Sequence, residues 1–321
     1  MSNNVTDNVW LVGAGKMSIE YAKVLASMNI KPVVIGRGEA SAAEFTKQTG
    51  LDVITGGLPG FLTSNPDQPT AVIITVNVLE LSAVTRTILD YAQPRILVEK
   101  PGGINGRQLQ NIQDGIGTAE VFIAYNRRFF ASVQKAKEII DGDGGPVACS
   151  FEFTEWGHVI EQQVLGRPTE ELAHWALANS SHIFDLAFFL SGHPEKLSCY
   201  TTGGLSWHPS ASRFSGSGIS KRGATLSYHA NWDAPGRWKV EVMSSNARVL
   251  LCPLEKLQLQ KKGSVAWEDV ELEEALDQSY KPGLFEMVST FLSDAPSPDL
   301  CRFSEMRDVL DTYQRIAGYS N

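Results

Sequence analysis

Four apolar residues, Val9 to Val12, run straight into Gly13-Ala14-Gly15-Lys16-Met17-Ser18. Behind that turn Ile19, Ala22, Val24, Leu25 and Met28 recur at helical spacing, and Lys31 to Ile35 reads as a second strand. A strand, a glycine turn, a helix and a strand within about thirty residues is the setting in which G-x-G followed by a small residue means dinucleotide binding. The first glycine makes the tight turn, and the second lets a pyrophosphate approach the backbone. The N–H groups of the helix's first turn then meet its negative charge. Gly13, Ala14, Gly15, Lys16 and Met17 are therefore the candidate diphosphate-binding residues, with Ser18 in the helix-packing position.

The end of the second strand, Val33-Val34-Ile35-Gly36-Arg37-Gly38, separates the two nicotinamide cofactors. NAD sites place an Asp or Glu there to accept from the ribose 2′-hydroxyl, whereas NADP sites omit that charge and supply an arginine for the 2′-phosphate. No acid stands at the tip, and Arg37 offers a planar fork suited to phosphate. NADP is favoured, with NAD as the alternative, because Glu39 lies close by.

The alternation continues through a helix over Ala42 to Gln48, strands at Asp52 to Thr55 and Ala71 to Val76, and a helix from Val78 to Tyr91. Next comes Ile96-Leu97-Val98-Glu99-Lys100-Pro101-Gly102-Gly103, a strand that delivers a charged pair and a sharp turn to the rim of a sheet, where α/β enzymes do chemistry. Lys100, half desolvated there, can hydrogen-bond or protonate a substrate oxygen. Thr75, Asn77, Glu99, Lys100 and Pro101 are expected to border the cofactor. A helix from Asn105 and a strand from Val121 to Tyr125 complete a parallel sheet wound on both faces. Residues 1–125 are thus predicted to be a Rossmann domain that binds NAD(P).

From Asn126, which is expected to open a helix running to Ile140, the pattern changes. Val147, Cys149, Phe151 and Phe153 alternate with smaller or polar residues, as do Ala224, Leu226, Tyr228, Ala230 and Trp232, and then Trp238, Val240 and Val242. These predict an open, largely antiparallel sheet with two distinct faces. Helices at Ser180 to Leu190, Gly283 to Leu292 and Ser304 to Gly318 make residues 126–321 an α+β domain for substrate binding and self-association.

Composition narrows the function. The 28 basic against 36 acidic residues leave a net charge of −8, with no Lys/Arg cluster of the kind a nucleic-acid backbone requires. Four cysteines, Cys149, Cys199, Cys252 and Cys301, carry no zinc-site spacing and read as reduced thiols, so no metal is expected. No apolar run approaches the ~18 residues that span a bilayer, and Met1 to Asp7 lack the features of a secretory signal. A cytoplasmic protein without nucleic-acid or membrane partners is the expectation.

The glycine turn, Glu99-Lys100-Pro101-Gly102-Gly103 and Tyr125-Asn126-Arg127-Arg128-Phe129, in that order, resemble the glucose–fructose oxidoreductase and inositol dehydrogenase family. Asn179-Ser180-Ser181-His182-Ile183-Phe184-Asp185, followed by Leu190-Ser191-Gly192, is similar to that family's helix motif with its catalytic histidine. The resemblance covers nearly the whole chain. It implies hydride transfer between nicotinamide and a sugar, polyol or nucleotide-linked sugar, catalytic positions at Lys100 and His182, and dimers or tetramers formed through the open sheet. One departure stands out: the aspartate that many members carry one helical turn before the histidine is Ala178 here. Tyr125, Arg127, Arg128, Trp156, His158, Asn179 and Trp207 are the candidate substrate residues. Reduction of an imine or linear tetrapyrrole, and a non-catalytic NAD(P)-binding regulator, are the alternatives the resemblance leaves open.

Overall fold

A computed structural model describes residues 5–163, 166–294 and 297–319. The chain divides into two compact units: Met1–Asn126 with Leu276–Arg307, and Arg127–Ala275 with Asp308–Asn321.

In the first unit β1 (Val9–Val12), α1 (Lys16–Ser27), β2 (Val33–Ile35), α2 (Glu39–Thr49), β3 (Val53–Ile54), α3 (Gly57–Leu62), β4 (Ala71–Ile74), α4 (Leu81–Tyr91), β5 (Arg95–Glu99), α5 (Gly106–Gln113) and β6 (Val121–Ala124) follow one another. Among the described residues the strand order is β15-β6-β5-β4-β1-β2-β3, where β15 is Cys301–Arg302. The pairs from β6 to β3 are parallel. Every residue of β1, β4 and β6 is buried, because helices cover both faces of such a sheet and strands buried on both sides become unbroken apolar runs. Trp10 anchors one side of this core, edge-on to Phe61 at 4.9 Å and stacked on Tyr91 at 6.1 Å.

The chain returns to this unit late, which corrects the expectation of a second domain running unbroken over 126–321. Cys301 and Arg302 pair antiparallel with Ile123 and Phe122, and so cover the outer edge of β6, which would otherwise expose unpaired backbone. Leu284–Leu292 forms α11 against α1, and Phe291 meets Phe122 edge-on at 6.2 Å. A strand of two residues is too short to leave a periodic signal.

A 3₁₀ turn at Asn126–Phe129, not the helix expected there, carries the chain into the second unit; α6 (Ala131–Gly142) starts only after Phe130 adopts an extended backbone. Then come β7 (Ala148–Phe153), α7 (Gly157–Gln163), α8 (Thr169–Ala173), one π-helical turn at Ala176–Ser180 and α9 (Ser181–Ser191). After these follow β8 (Pro194–Thr202), β9 (Arg213–Ser220), β10 (Thr225–Asn231), β11 (Trp238–Met243), β12 (Ala247–Leu251), β13 (Gln258–Lys261) and β14 (Glu268–Asp269). Ala275–Ser279 is α10, and α12 (Phe303–Ala317) carries the chain from the first unit's second segment into the second's.

The second sheet has the order β14-β13-β12-β11-β7-β10-β9-β8 and is antiparallel except where β7 and β10 run parallel. Burial alternates along β7 and β10, which sorts the aromatic residues onto one face. Phe151, Phe153 and Tyr228 pack there against α9, with Phe153 edge-on to Phe184 at 4.8 Å. The opposite face shows the polar groups Ser150, Glu152, Ser215, Ser217, Ser227 and His229, together with the exposed Tyr200 in register with Ser215.

Candidate active site

In the first unit the glycine turn has the geometry that dinucleotide binding needs. Gly13 sits at φ +128°, and a Cβ there would come within 2.4 Å of Thr75 Oγ1, so only glycine fits. Gly15 is the N-cap of α1 and a Cβ on it would meet nothing within 4 Å, leaving open space before the first N–H groups of the helix. The turn is braced from inside: Gly15 N–H donates to Ser18 Oγ at 3.1 Å, and Ser18 and Thr75 hydroxyls bond at 2.7 Å. Thr75 therefore spends its hydroxyl on the turn. Asn77 Oδ1 accepts from Leu79 N–H at 3.0 Å and so shapes the entry to α4. Lys16 is exposed and Met17 half-buried at the start of that helix α1.

At the tip of β2, Gly36 is closed to any side chain. A Cβ there would lie 2.8 Å from Val53 Cγ1 and 3.1 Å from Ala14 Cβ, so the ribose-binding acid of NAD sites has no room. The Arg37 side chain, 78% exposed, pairs with Glu80 at the head of α4. Glu80, forty-three residues away, gave no signal in the sequence.

Where β5 ends, Glu99 accepts a hydrogen bond from the Tyr21 hydroxyl at 2.9 Å. Burial holds the Glu99 carboxyl above the usual carboxylate range, opposed by the ammonium of Lys100, the Tyr21 hydroxyl and the ammonium of Lys281. Burial and the facing carboxylate push the Tyr21 hydroxyl well up in turn. Lys100 is half-buried beside it, and Pro101 is buried. Gly102, at φ +79°, donates its N–H to Glu99 O at 3.0 Å, closing the turn on the strand end. Lys281 Nζ lies 3.2 Å from Met17 Sδ, a cation beside the glycine turn that arrives from the late segment and was not anticipated. An open helix N-terminus, a glycine that admits no side chain and a flanking cation fit the diphosphate of a nicotinamide dinucleotide.

The second unit holds a cavity of about 500 Å³ whose walls include Arg127, Glu155, Trp156, Trp175, Asn179, Arg237 and Trp238. Three indoles and a few convergent polar groups are the makings of a small-ligand site. Glu155, two residues beyond β7 and 8% exposed, accepts on one oxygen from Asn179 Nδ2 at 2.8 Å and Ser180 Oγ at 2.7 Å. Both donors come from the π-helical turn, whose extra residue shifts the helix register just before α9; such insertions recur at functional sites. The turn is itself tied down: Ala176 N–H donates to the Tyr319 hydroxyl at 3.0 Å, which lies 2.9 Å from His208 Nε2. His208 Nδ1 faces Ala211 O at 2.7 Å, so that nitrogen carries the proton and Tyr319 donates to the other. Burial lowers the His208 pKa to about 4, with Ala211 O opposing.

Arg127 stands over the Trp238 ring with its guanidinium 4.8 Å from the centroid. His182, in the first turn of α9 and 7% exposed, has its ring 6.4 Å from the same indole. It is not among the cavity's lining residues; Trp238 is. The Asn179 amide nitrogen donates to Glu155.

The remaining expected substrate residues divide. Trp156 lines the cavity, and His158 lines an adjoining one. Arg128 lines neither of these cavities: both it and Asp185 are 2% exposed, joined by Nη2–Oδ1 at 2.6 Å and Nε–Oδ2 at 2.9 Å. A buried guanidinium needs that carboxylate, which makes the pair structural. Tyr125 is 1% exposed in the first unit, its hydroxyl 3.6 Å from Met306 Sδ. Trp207 stacks on Trp232 with centroids 5.7 Å apart and planes at 7°, as part of the aromatic core. Trp175, Arg237 and Trp238 are lining residues the sequence concealed, since nothing in their local patterns distinguishes them from strand ends and core, whereas Glu155 belongs to the strand-end stretch Glu155-Trp156-Gly157-His158 that reads as a candidate wall of a sugar pocket.

No family model matches the chain, and no curated protein does. Solved structures do. Levoglucosan dehydrogenase bound to NADH and L-sorbose superposes with a TM-score of 0.76 at 16% identity over 96% of this chain and 95% of that one. The chain has that fold. UDP-N-acetylglucosamine 3-dehydrogenase from Acidithiobacillus ferrooxidans gives 0.74 at 15% identity, with 97% of each chain covered. An oxidoreductase from Agrobacterium radiobacter in complex with NAD⁺, L-tartaric acid and magnesium gives 0.77 at 11% identity, over 96% of this chain and 94% of that one. The shared fold is a Rossmann-type parallel sheet followed by a mostly antiparallel second sheet. Among the described residues no helix is long and apolar enough to cross a membrane.

Proposed function

We propose that the chain is an NAD(P)-dependent oxidoreductase of the glucose–fructose oxidoreductase and inositol dehydrogenase type, acting on a hydroxyl or carbonyl group of a sugar, polyol or nucleotide-linked sugar. The observation that carries the reading is the cavity walled by Trp156, Trp175 and Trp238 with Glu155 fixed by Asn179 and Ser180. Flat apolar faces take the C–H side of a sugar ring, and a fixed carboxylate accepts from its hydroxyls. The solved structures of like fold include dehydrogenases whose names state sugar and UDP-sugar substrates.

Gly13, Ala14, Gly15, Lys16, Met17 and Lys281 would hold the diphosphate, and Arg37 the 2′-phosphate of NADP, the preferred cofactor. Asn77, Glu99, Lys100 and Pro101 would border the cofactor, with Thr75 bracing the turn. Bound nicotinamide supplies or accepts the hydride. Lys100 stabilises negative charge as it builds on the substrate oxygen, a contribution of about 3 to 4 kcal/mol for one preorganised donor. His182 moves the proton, since an imidazole titrates near working pH. With Ala178 one turn before it, no carboxylate from that position favours the imidazolium, which suits reduction of a ketosugar better than oxidation of an alcohol. Self-association uses the polar outer face of the second sheet.

The test follows nicotinamide absorbance with NADP(H) and NAD(H) against a panel of sugars, polyols, ketosugars and nucleotide sugars. Turnover of at least one, faster with NADP(H), is expected; a protein that binds cofactor and is inert to the whole panel would sink the proposal.

A further inference from the structure

Beside the first cavity lies a second, of about 440 Å³, walled by Trp156, His158, Trp232, Asp233, Pro235 and Gly236. Each falls within the range of roughly 300 to 1,000 Å³ typical of small-ligand pockets. Trp156 belongs to both, and the loop that lines the second cavity through Gly236 continues directly into Arg237 and Trp238 of the first. The two cavities are therefore neighbours across one indole.

That indole is unusual in being 57% exposed and yet fixed. Its Nε1–H donates to Gly236 O at 2.8 Å, which pins the ring to the loop between the cavities. The residue after it is held just as closely: Gly157 N–H donates to Trp232 O at 3.2 Å, and a Cβ on Gly157 would come within 2.4 Å of that oxygen. An exposed tryptophan held at both ends presents its ring without the rotamer entropy that a free one would lose on binding.

We infer that the second cavity is a subsite for a second, uncharged sugar ring, so that the substrate is a glycoside in preference to a free monosaccharide or a nucleotide-linked sugar. The inference rests on the sugar-oxidoreductase reading above and narrows it. Trp156 offers an apolar surface to a ring, while the Asp233 carboxylate and the His158 imidazole, both exposed and without a hydrogen-bonded side-chain partner among the described residues, offer an acceptor and a second polar group to hydroxyls. Asp233 is placed by its own N–H donating to Asn231 Oδ1 at 3.0 Å. No lysine or arginine lines this cavity and a carboxylate does, which is the wrong sign for the diphosphate of a nucleotide sugar.

The experiment takes the full chain with its nicotinamide cofactor and compares glucose and galactose with maltose, cellobiose, lactose, trehalose and sucrose, by turnover and by calorimetric binding. It is repeated on Asp233→Ala and Asp233→Leu, which remove a carboxylate that lines the second cavity alone. At least one disaccharide is expected to show a kcat/KM about tenfold above that of its monosaccharide, and each variant to remove most of that gain while the monosaccharide value stays within about twofold. Monosaccharides served as well as disaccharides, or a disaccharide preference untouched by both variants, overturns the subsite and leaves the oxidoreductase reading standing. Disaccharide binding that the variants abolish, without turnover of any sugar, supports the subsite and sinks the redox reading. Neither binding nor turnover overturns both.

Discussion

Arg37 and Glu80 form an ion pair at the tip of β2, where Gly36 leaves no room for the acid that reads a ribose 2′-hydroxyl. Both partners are exposed, and a pair of this kind is worth about 0 to 1 kcal/mol, so a dianionic 2′-phosphate can take the arginine from the carboxylate. Arg37→Ala is expected to weaken NADPH binding by about ten- to a hundredfold and to leave NADH unchanged, because hydrogen bonds to charged groups contribute about 1.5 to 3 kcal/mol. Glu80→Gln, which removes the competitor, should tighten NADPH by a few fold. Calorimetric titration of both cofactors on each variant decides it; equal losses for NADPH and NADH would assign Arg37 no part in the choice.

Arg128 and Asp185 test the structural half of the account. Asp185→Ala leaves a buried guanidinium without its carboxylate and should cost about 3 to 5 kcal/mol, read as a lower midpoint in urea unfolding. Arg128→Met combined with Asp185→Leu removes both charges and should recover much of that loss. A single variant as stable as the parent would contradict the pairing.

His208 predicts a dependence on pH. Its folded pKa of about 4 lies below the ordinary value of 6.5, so the unfolded chain takes up the proton first. The stability this group contributes is complete above pH 6.5 and is lost as pH falls toward 4, by about 3 kcal/mol in all. Replacing His208 by Asn should flatten that part of the profile in denaturant melts taken across the interval. Tyr319→Phe, which removes the donor to His208 and the acceptor for Ala176, should loosen the π-helical turn and raise KM for the sugar more than it lowers kcat.

Lys281→Met removes the cation beside Met17 and should weaken binding of both cofactors by about fivefold without altering the preference between them, a change of about 1 kcal/mol. An effect confined to NADPH would move this lysine's role to the 2′-phosphate.

The first unit was legible because its signals are local. Gly13, Gly15 and Ser18 sit within six residues, and β1, β4 and β6 are unbroken apolar runs of the kind that a covered parallel sheet produces. The late segment Leu276–Arg307 was not, since its link to the sheet is a two-residue strand and its contribution to the glycine turn a single lysine. In the second unit the alternation of Phe151, Phe153 and Tyr228 predicted a two-faced sheet, and the two faces are there. The cavity was only half visible. Trp156, Asn179 and Arg127 could be singled out, with Glu155 beside Trp156, but Trp238 joins them only through a strand pairing with Phe153, eighty-five residues away. Arg128 misled for the opposite reason: it stands beside a true lining residue, but its side chain is drawn inward by Asp185.

The most direct test of the central claim is Lys100→Met, assayed for NADPH affinity and, on whichever sugar the parent enzyme turns over, for kcat. Cofactor affinity within about twofold of the parent and a kcat lower by about 10² to 10³ is the predicted result, since a donor to the developing charge acts in the transition state. A variant that turns over at the parent's rate would contradict the account.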